Sequence, residues 1–460
     1  MEKRKSVPLI VASAIIMQQI DSTALATALP SMAESFGVPA LSLHSAITIY
    51  LLSLGVFLPI SGWVADRFGA RIVFSVAIGI FTVASLLCAA STSLTGLILA
   101  RILQGFGGAL MLPVGRLILV RSVSPAELVS AMILMGLPAV IGPAVGPLLG
   151  GFITTFASWR WILWINLPVG LLGIVLTTLF IDPVPPSDPK PFDWLGFLLT
   201  GIGIGALIFS LDTMARGGGG ETLWLAAAGA ASLGLYMLHA RRVPHPILDL
   251  RLFRLPAFRS SMLGGSLFRI GFGALPFMLP LLMQEVFGYT PLESGAITFV
   301  SAVGAFGMRT VARRILHRFG FRRVLIWNAL IASASMALCA GFTVGVAPYV
   351  MMIVIFTGGV FRALQFTSIN TLAFAEPSAP EMSHATALSQ MAQRISQSIG
   401  VAFAATLLHL FSAGAAHPTG HAFTLAFLVV ALVSSLSCLS FLALPGTAGD
   451  VLAGRARGPA

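Results

Sequence analysis

The sequence predicts an all-α polytopic membrane protein of fourteen transmembrane helices, and three observations predict it. Only 9% of its 460 residues are charged and the mean hydropathy is +0.94, whereas a soluble domain carries about 25% charged residues. Fourteen apolar runs are long enough to cross the hydrocarbon, which takes roughly 20 helical residues. Lys and Arg fall into alternate loops, nineteen in one set against only Arg160 and Arg216 in the other. An even number of spans puts both termini on one side, and the basic loops make that side cytoplasmic.

The runs cover 8–30, 43–64, 72–92, 95–119, 127–153, 160–181, 194–213, 222–239, 260–287, 292–312, 323–343, 347–373, 384–410 and 421–443. The polar, Pro-rich stretch at 181–194 closes a first block of six, and the basic stretch at 240–259 opens a second. Between them two further runs are joined by RGGGGE (216–221). The expected organisation is an N-terminal six-helix bundle over 1–181, a linker with two extra helices and a basic cytoplasmic loop over 182–259, and a C-terminal six-helix bundle over 260–460. The net charge of +11 is accounted for by orienting loops, so the expected partner is the bilayer and not nucleic acid. Cys88, Cys339 and Cys438 lie inside apolar runs and read as small buried side chains, not as a disulfide framework or metal ligands. The basic MEKRKS and the small residues of LATALP have the marks of a secretory leader, but the run is too long and carries Asp21, so it reads as the first span.

Asp21 is the anomaly of that span. A carboxylate at the centre of a bilayer costs roughly 2.5–3.5 kcal/mol on insertion scales, and intramembrane charges are functional by default. Burial disfavours its charge and a nearby cation favours it, so such a group can exchange a proton and a cationic ligand. A permanently paired structural carboxylate is the plainer alternative. Arg101 in the fourth run is the candidate partner, although it could also snorkel to headgroups. Gln104 lies one turn further on.

The loops after the second and tenth runs repeat. GWVADRFGARIVF (62–74) and RRILHRFGFRRVL (313–325) align at an offset of 251, matching Arg67, Phe68, Gly69 and Arg71 with Arg318, Phe319, Gly320 and Arg322. Repeated halves are how many secondary transporters are built. The copies differ at Gly62, which faces Arg313, and at Asp66, which faces His317. Gly62 is expected to allow a close helix approach, and Asp66 to cap the following helix or pair with Arg67, Arg71 or a neighbouring span. A cytoplasmic gate of Gly62, Asp66, Arg67, Gly69, Arg71, Arg318, Gly320 and Arg322 would then take its acid from the first block.

D-R-F-G-x-R following a glycine resembles the loop signature of the major facilitator superfamily. IDSTALATALP resembles the first-span signature of the fourteen-span drug:proton antiporters, with Ala26 where that family often has Asn. LILARILQGFGGAL resembles its fourth-span signature, GLPAVIGPAVGPLLGGFI its fifth-span antiporter signature, and SWRWILWINLPVG its entry to the sixth span. The resemblance implies the major facilitator fold, two six-helix bundles plus two inserted central helices. It implies a multi-pass protein of the cell's inner or plasma membrane that exports amphipathic drugs or toxic compounds against protons, with Asp21 and Arg101 coupling the two. An exporter or importer dedicated to one metabolite, lipid or siderophore is the alternative. The expected partners are a small-molecule substrate and protons, with the protein acting as a monomer or with a periplasmic adaptor in a cell that has two membranes.

In the fifth run Gly142, Gly146 and Gly150 fall on one face with Gly151 beside it, and Pro143 and Pro147 remove helix donors. These six are expected to form a smooth, bent antiporter hinge, with Gly136 and Pro138 before them. Substrate-cavity candidates are Gln18 and Gln104 in the first block and Gln390, Arg394 and Gln397, which share one helix face, in the second. Arg269, Arg309 and Arg362 add a cationic excess to the second block, read as mainly interfacial but compatible with an anionic or zwitterionic substrate. Phe272, Phe277, Met278, Met283, Phe306, Phe361 and Phe366 read as packing or lipid-facing side chains before cavity lining. There is no G-x-x-x-x-G-K-[ST], H-E-x-x-H, C-x-x-C or G-x-S-x-G; no enzyme, metal or cofactor is expected, and His417 with His421 is a weak pair.

Overall fold

A computed structural model describes residues 3–122, 131–132, 134–135, 138–183, 191–215, 218–244, 246–378, 381–412, 418–446 and 448–449. Gly136 and His417 lie outside these residues. The described chain is helical: α1 Lys3–Phe36, α2 His44–Phe57, α3 Ile60–Phe68, α4 Ala70–Ala90, α5 Leu94–Ser122, α6 Pro138–Phe156, α7 Arg160–Trp164, α8 Asn166–Phe180, α9 Trp194–Ala215, α10 Gly220–Ala240, α11 Pro256–Leu281, α12 Pro291–Phe319, α13 Phe321–Ala337, α14 Pro348–Leu372, α15 Met382–Phe411, α16 Gly420–Ser435 and α17 Ser437–Leu442. Among the described residues thirteen helices are long and apolar enough to cross a membrane, and Ile141–Phe156 is a shorter apolar helix in the fifth run.

Among the described residues the expected span 421–443 is interrupted between α16 and α17, and two others are interrupted at a proline. Pro59 stands at the break between α2 and α3, and Pro168 lies in the first turn of α8, just after the break from α7. Each lacks the N–H that would continue the helix ladder across the break. The exposed faces of α8, α9 and α10 carry Leu171, Leu172, Leu198, Ile202, Trp224 and Leu235, as lipid-facing helices do.

The described residues form two compact units. The first is Met1–Trp194 with Tyr289–Ala296, and the second Leu195–Gly288 with Ile297–Ala460. In the first, α1 packs on α5 and α6, and α4 on α5, around Phe74, Phe81, Met111 and Leu119. In the second, α11 packs on α15 and α16, and α13 on α14. The inserted helices belong here: Ser232 of α10 donates to the Leu199 carbonyl of α9 at 2.8 Å, and Thr406 of α15 to the Leu211 carbonyl at 3.1 Å. The basic loop folds back on the same unit, since Tyr236 Oη both accepts from Leu248 N (2.9 Å) and donates to Leu248 O (2.8 Å).

The 251-residue repeat extends beyond the loop motif. Gly69 and Gly320, at φ 86° and 78°, end α3 and α12, and their N–H groups reach Ala65 O and Leu316 O at 2.9 Å each. Gly37 and Gly288, the same distance apart, also sit at positive φ, 64° and 70°. A left-handed residue is how a helix ends and turns at once, and glycine takes that conformation without a Cβ penalty.

Candidate functional site

Asp21 lies on the middle turns of α1 and is 1% exposed. Arg101 reaches it from α5, with Nη1 2.7 Å from Oδ2. Gln104 Nε2 (3.1 Å) and Asn166 Nδ2 (3.0 Å) both donate to Oδ1. Ser85 Oγ of α4 accepts from the same two amides at 2.8 and 3.1 Å, and Gln104 Oε1 accepts from Arg101 Nη1 at 2.5 Å. The Arg101 guanidinium lies 5.3 Å from the Tyr50 ring centroid, a cation–π contact from α2. Five helices of the first unit thus converge on one carboxylate.

Spacing explains the convergence. Arg101 and Gln104 are one turn apart on α5 and present both groups to α1. Asn166 opens α8, where the break after α7 turns the chain inward. Arg101 Nε and Nη2 are buried without a hydrogen-bond partner. A buried charge pair survives only when well hydrogen-bonded, and removing one partner strands the other. The carboxylate can be neutralised by a proton, but the guanidinium cannot. A proton on Asp21 would leave Arg101 as an uncompensated cation.

The glycine stripe packs directly beside this site. A Cβ at Gly142 would meet Gln19, one at Gly146 would overlap Thr23 Oγ1, and one at Gly150 would meet the Ala24 carbonyl, so the stripe is the seat of α1 on α6. Thr23 Oγ1 also donates to the Gly142 carbonyl at 3.1 Å. Gly151 approaches Pro291, which groups with the first unit, and Pro147 approaches Gly295 of the same segment. Pro143 lies inside α6 with Pro147, and of Pro138 only the helical backbone is described. An apolar cavity of about 180 Å³ opens between α1, α6, α7 and α8. Asn166, which contacts Asp21, lines it.

The residues of the repeated loops hold their helices in ways the motif only partly indicates. Arg71 donates to the Thr178 carbonyl at the end of α8, and Arg322 to the Leu442 carbonyl at the end of α17 (3.0 Å). Each caps the last helix of its half, where the helix dipole favours a cation. Arg67 is exposed, and Arg318, also exposed, lies over the ring of Phe319. Two expectations are corrected. Asp66 does not cap α4, whose N-cap Gly69 has no side-chain bond, but it does make the expected pairing with a neighbouring span, its carboxylate facing Arg121 of α5 at 3.4 Å. A Cβ at Gly62 would meet no atom within 4 Å, so no close helix approach is made there. Arg160 donates to the Ala89 and Ser91 carbonyls at the end of α4, which gives a structural use to one basic residue outside the larger basic set.

The weak cavity candidates separate. Gln104 belongs to the Asp21 cluster, and Gln18, buried at 3%, donates to the Gly108 carbonyl of α5 at 3.1 Å. In the second unit Gln390, Arg394 and Gln397 are half-buried along α15, and Gly273 packs on the Gln397 backbone. Arg362 donates to Ser301 Oγ at 3.0 Å, Arg309 is exposed, and Arg269 is fully buried, so the interfacial reading fails for Arg269. Phe272, Phe277, Met278 and Met283 are core, and Phe306 is exposed. Asn166 and Ser85 were not candidates from sequence; the SWRWILWINLP motif holds the first, but no signal sets Ser85 apart from other span serines. Asp212, in the last turns of α9 and 5% exposed, is a second buried acid that the runs did not single out.

The Major Facilitator Superfamily profile matches residues 11–401 and 261–458. The chain belongs to that superfamily. It is 40% identical over 445 residues, 95% of this chain and 94% of the relative, to "Putative multidrug resistance protein MdtD" of Salmonella heidelberg (strain SL476). It is 39% identical, with the same coverage, to the protein of that name from Salmonella typhi. Among solved structures it resembles a D-xylose-proton symporter (TM-score 0.69, 15% identity, 96% of this chain and 98% of that one). It also resembles the POT family transporter PepTSo (TM-score 0.68, 12% identity, 95% and 97%). At such identities the structures show the superfamily's fold and nothing finer. The all-helical fold and the membrane-spanning character expected from sequence therefore stand.

Proposed function

We propose that this superfamily member is a proton-coupled exporter of amphipathic compounds, in the inner or plasma membrane with both termini cytoplasmic, and that Asp21 is its coupling residue. The observation that carries the reading is the buried carboxylate of Asp21 held by Arg101, Gln104 and Asn166. The MdtD relatives, named for multidrug resistance, support the substrate class.

In this reading the ionised carboxylate holds Arg101 and fixes α1 against α5. A proton arriving from outside neutralises it, frees the guanidinium, and loosens α1 on the glycine seat of α6. The half that carries Asp21 then rocks against the other, the proton leaves to the cytoplasm, and the ion pair reforms. One charge falling through 100 mV supplies about 2.3 kcal/mol, enough to hold a substrate gradient of tenfold or more.

The test is uphill transport in proteoliposomes given a dye panel and an imposed pH gradient, comparing the wild type with Asp21→Asn. The reading requires accumulation against a gradient in the wild type and none in the variant. Uphill transport retained by Asp21→Asn overturns the assignment.

A further inference from the structure

Arg269 is a buried cation with no anionic partner among the described residues. It lies near the middle of the span Pro256–Val286, about 20 Å from one end and about 25 Å from the other at 1.5 Å per residue, and is 1% exposed. Its Nη2 donates to the Asn370 Oδ1 of α14 at 2.6 Å, and its guanidinium lies 6.0 Å from the Phe366 ring centroid. Both partners are uncharged. Nη1 is buried without a hydrogen-bond partner and is packed closely on Gly265, where a Cβ would come within 3.0 Å. The contrast with Arg101, which has Asp21, is direct. Glu376 does not serve as the counter-charge, because its carboxylate caps α11 by accepting from Ala257 N at 2.8 Å. A guanidinium cannot shed its proton, and a bare charge in a low-dielectric interior is strongly unfavourable unless paired.

We infer that Arg269 is a binding residue for an anionic oxygen group, a carboxylate or phosphate, carried by the transported compound. This rests on the transporter reading and narrows its substrate class to amphipaths bearing an acid. Lipid headgroups offer the same chemistry, but their phosphates lie at the ends of the span, a full half-membrane from Arg269. Nη1 is the free donor, Asn370 fixes the fork, and the Phe366 ring flanks it, so one planar acid group completes the set.

The experiment is a fluorescence titration of the purified full-length protein with dansylglycine, an amphipathic acid, and with its neutral primary amide at one pH. The wild type is expected to bind the acid at least tenfold more tightly. Arg269→Gln is expected to lose that preference while still binding the amide, and Arg269→Lys to keep part of it. Melting curves of both variants accompany the titration, and the wild-type comparison stands even if a variant unfolds. No preference in the wild type, or a preference that survives in a folded Arg269→Gln, overturns the inference. A third arm adds phosphatidylglycerol: competition with the acid would assign the site to lipid and overturn its assignment to substrate. The titration uses no proton gradient and does not involve Asp21, so its failure leaves the coupling reading standing, and the failure of Asp21→Asn to affect transport leaves this one standing.

Discussion

Arg101 Nη1 lies 2.7 Å from Asp21 Oδ2, with 1% of the arginine side chain and none of the aspartate side chain exposed. The pair is unequal, because one partner can be neutralised by a proton and the other cannot. Asp21→Asn leaves a permanent buried cation, whereas Arg101→Gln leaves an acid that can protonate. Breaking a buried pair costs about 3–5 kcal/mol when the remaining charge is stranded. Asp21→Asn should therefore lower the melting temperature in detergent more than Arg101→Gln, and the double variant should recover part of the loss. Equal losses with no recovery would contradict this.

Asn166 tests whether the site extends beyond the ion pair. Asn166→Ala removes one of the two amide donors to Asp21 Oδ1, and a hydrogen bond to a charged group is worth roughly 1.5–3 kcal/mol. Uphill transport should fall while energy-independent binding of the same dye persists. Transport rates at the wild-type level would show that Asn166 is packing only.

Much of this site could be read from the chain, and the reason is physical. A carboxylate and a guanidinium in apolar runs have few ways to be stable, so Asp21 and Arg101 point to each other before any coordinates exist. Asn166 and Ser85 carry no charge, and short polar side chains in a span are as often bonded to their own helix. Gly142, Gly146 and Gly150 announce a smooth face by their spacing, but only the packing shows that the face receives α1 beside Asp21. Gly62 has the residue type for a close approach and no neighbour within 4 Å, because residue type alone does not supply a partner. The repeat was visible at four identities around Gly69; its reach to Gly37 and Gly288 needed backbone angles.

The seat of α1 on α6 should tolerate no added carbon. Gly146→Ala would overlap Thr23 Oγ1, and overpacking costs typically about 1–3 kcal/mol. Gly205→Ala on α9 meets nothing within 4 Å and serves as the control. Gly146→Ala should lose transport at least tenfold and Gly205→Ala should not, measured at matched expression. Equal behaviour would remove the stripe from the mechanism.

Asp66 separates gating from stability. Its contact with Arg121 is about one-third exposed on each side, and such pairs contribute roughly 0.2–1 kcal/mol. Asp66→Asn should hardly move the melting temperature, yet lose transport with substrate binding retained. Unimpaired transport would sink the gate reading.

Glu381 gives a pH dependence outside the membrane. Ser378 donates to its carboxylate from both N (2.9 Å) and Oγ (2.6 Å), and these bonds hold it below the usual carboxylate range. A depressed folded value stabilises above the unfolded value near about 4.3 and loses that contribution as pH falls through the folded value. Exchange protection at the start of α15, taken relative to the intrinsic rate at each pH, should therefore fall on acidification through the folded value in the wild type, and not in Glu381→Gln.

The central claim is that one carboxylate carries either the proton or the grip on Arg101. Proton release on substrate binding tests it most directly, in weakly buffered detergent solution with a pH indicator and a dye shown to be transported. The account predicts release of protons from the wild type on adding the dye, and none from Asp21→Asn at dye concentrations that saturate both. Equal release from the two proteins would contradict it.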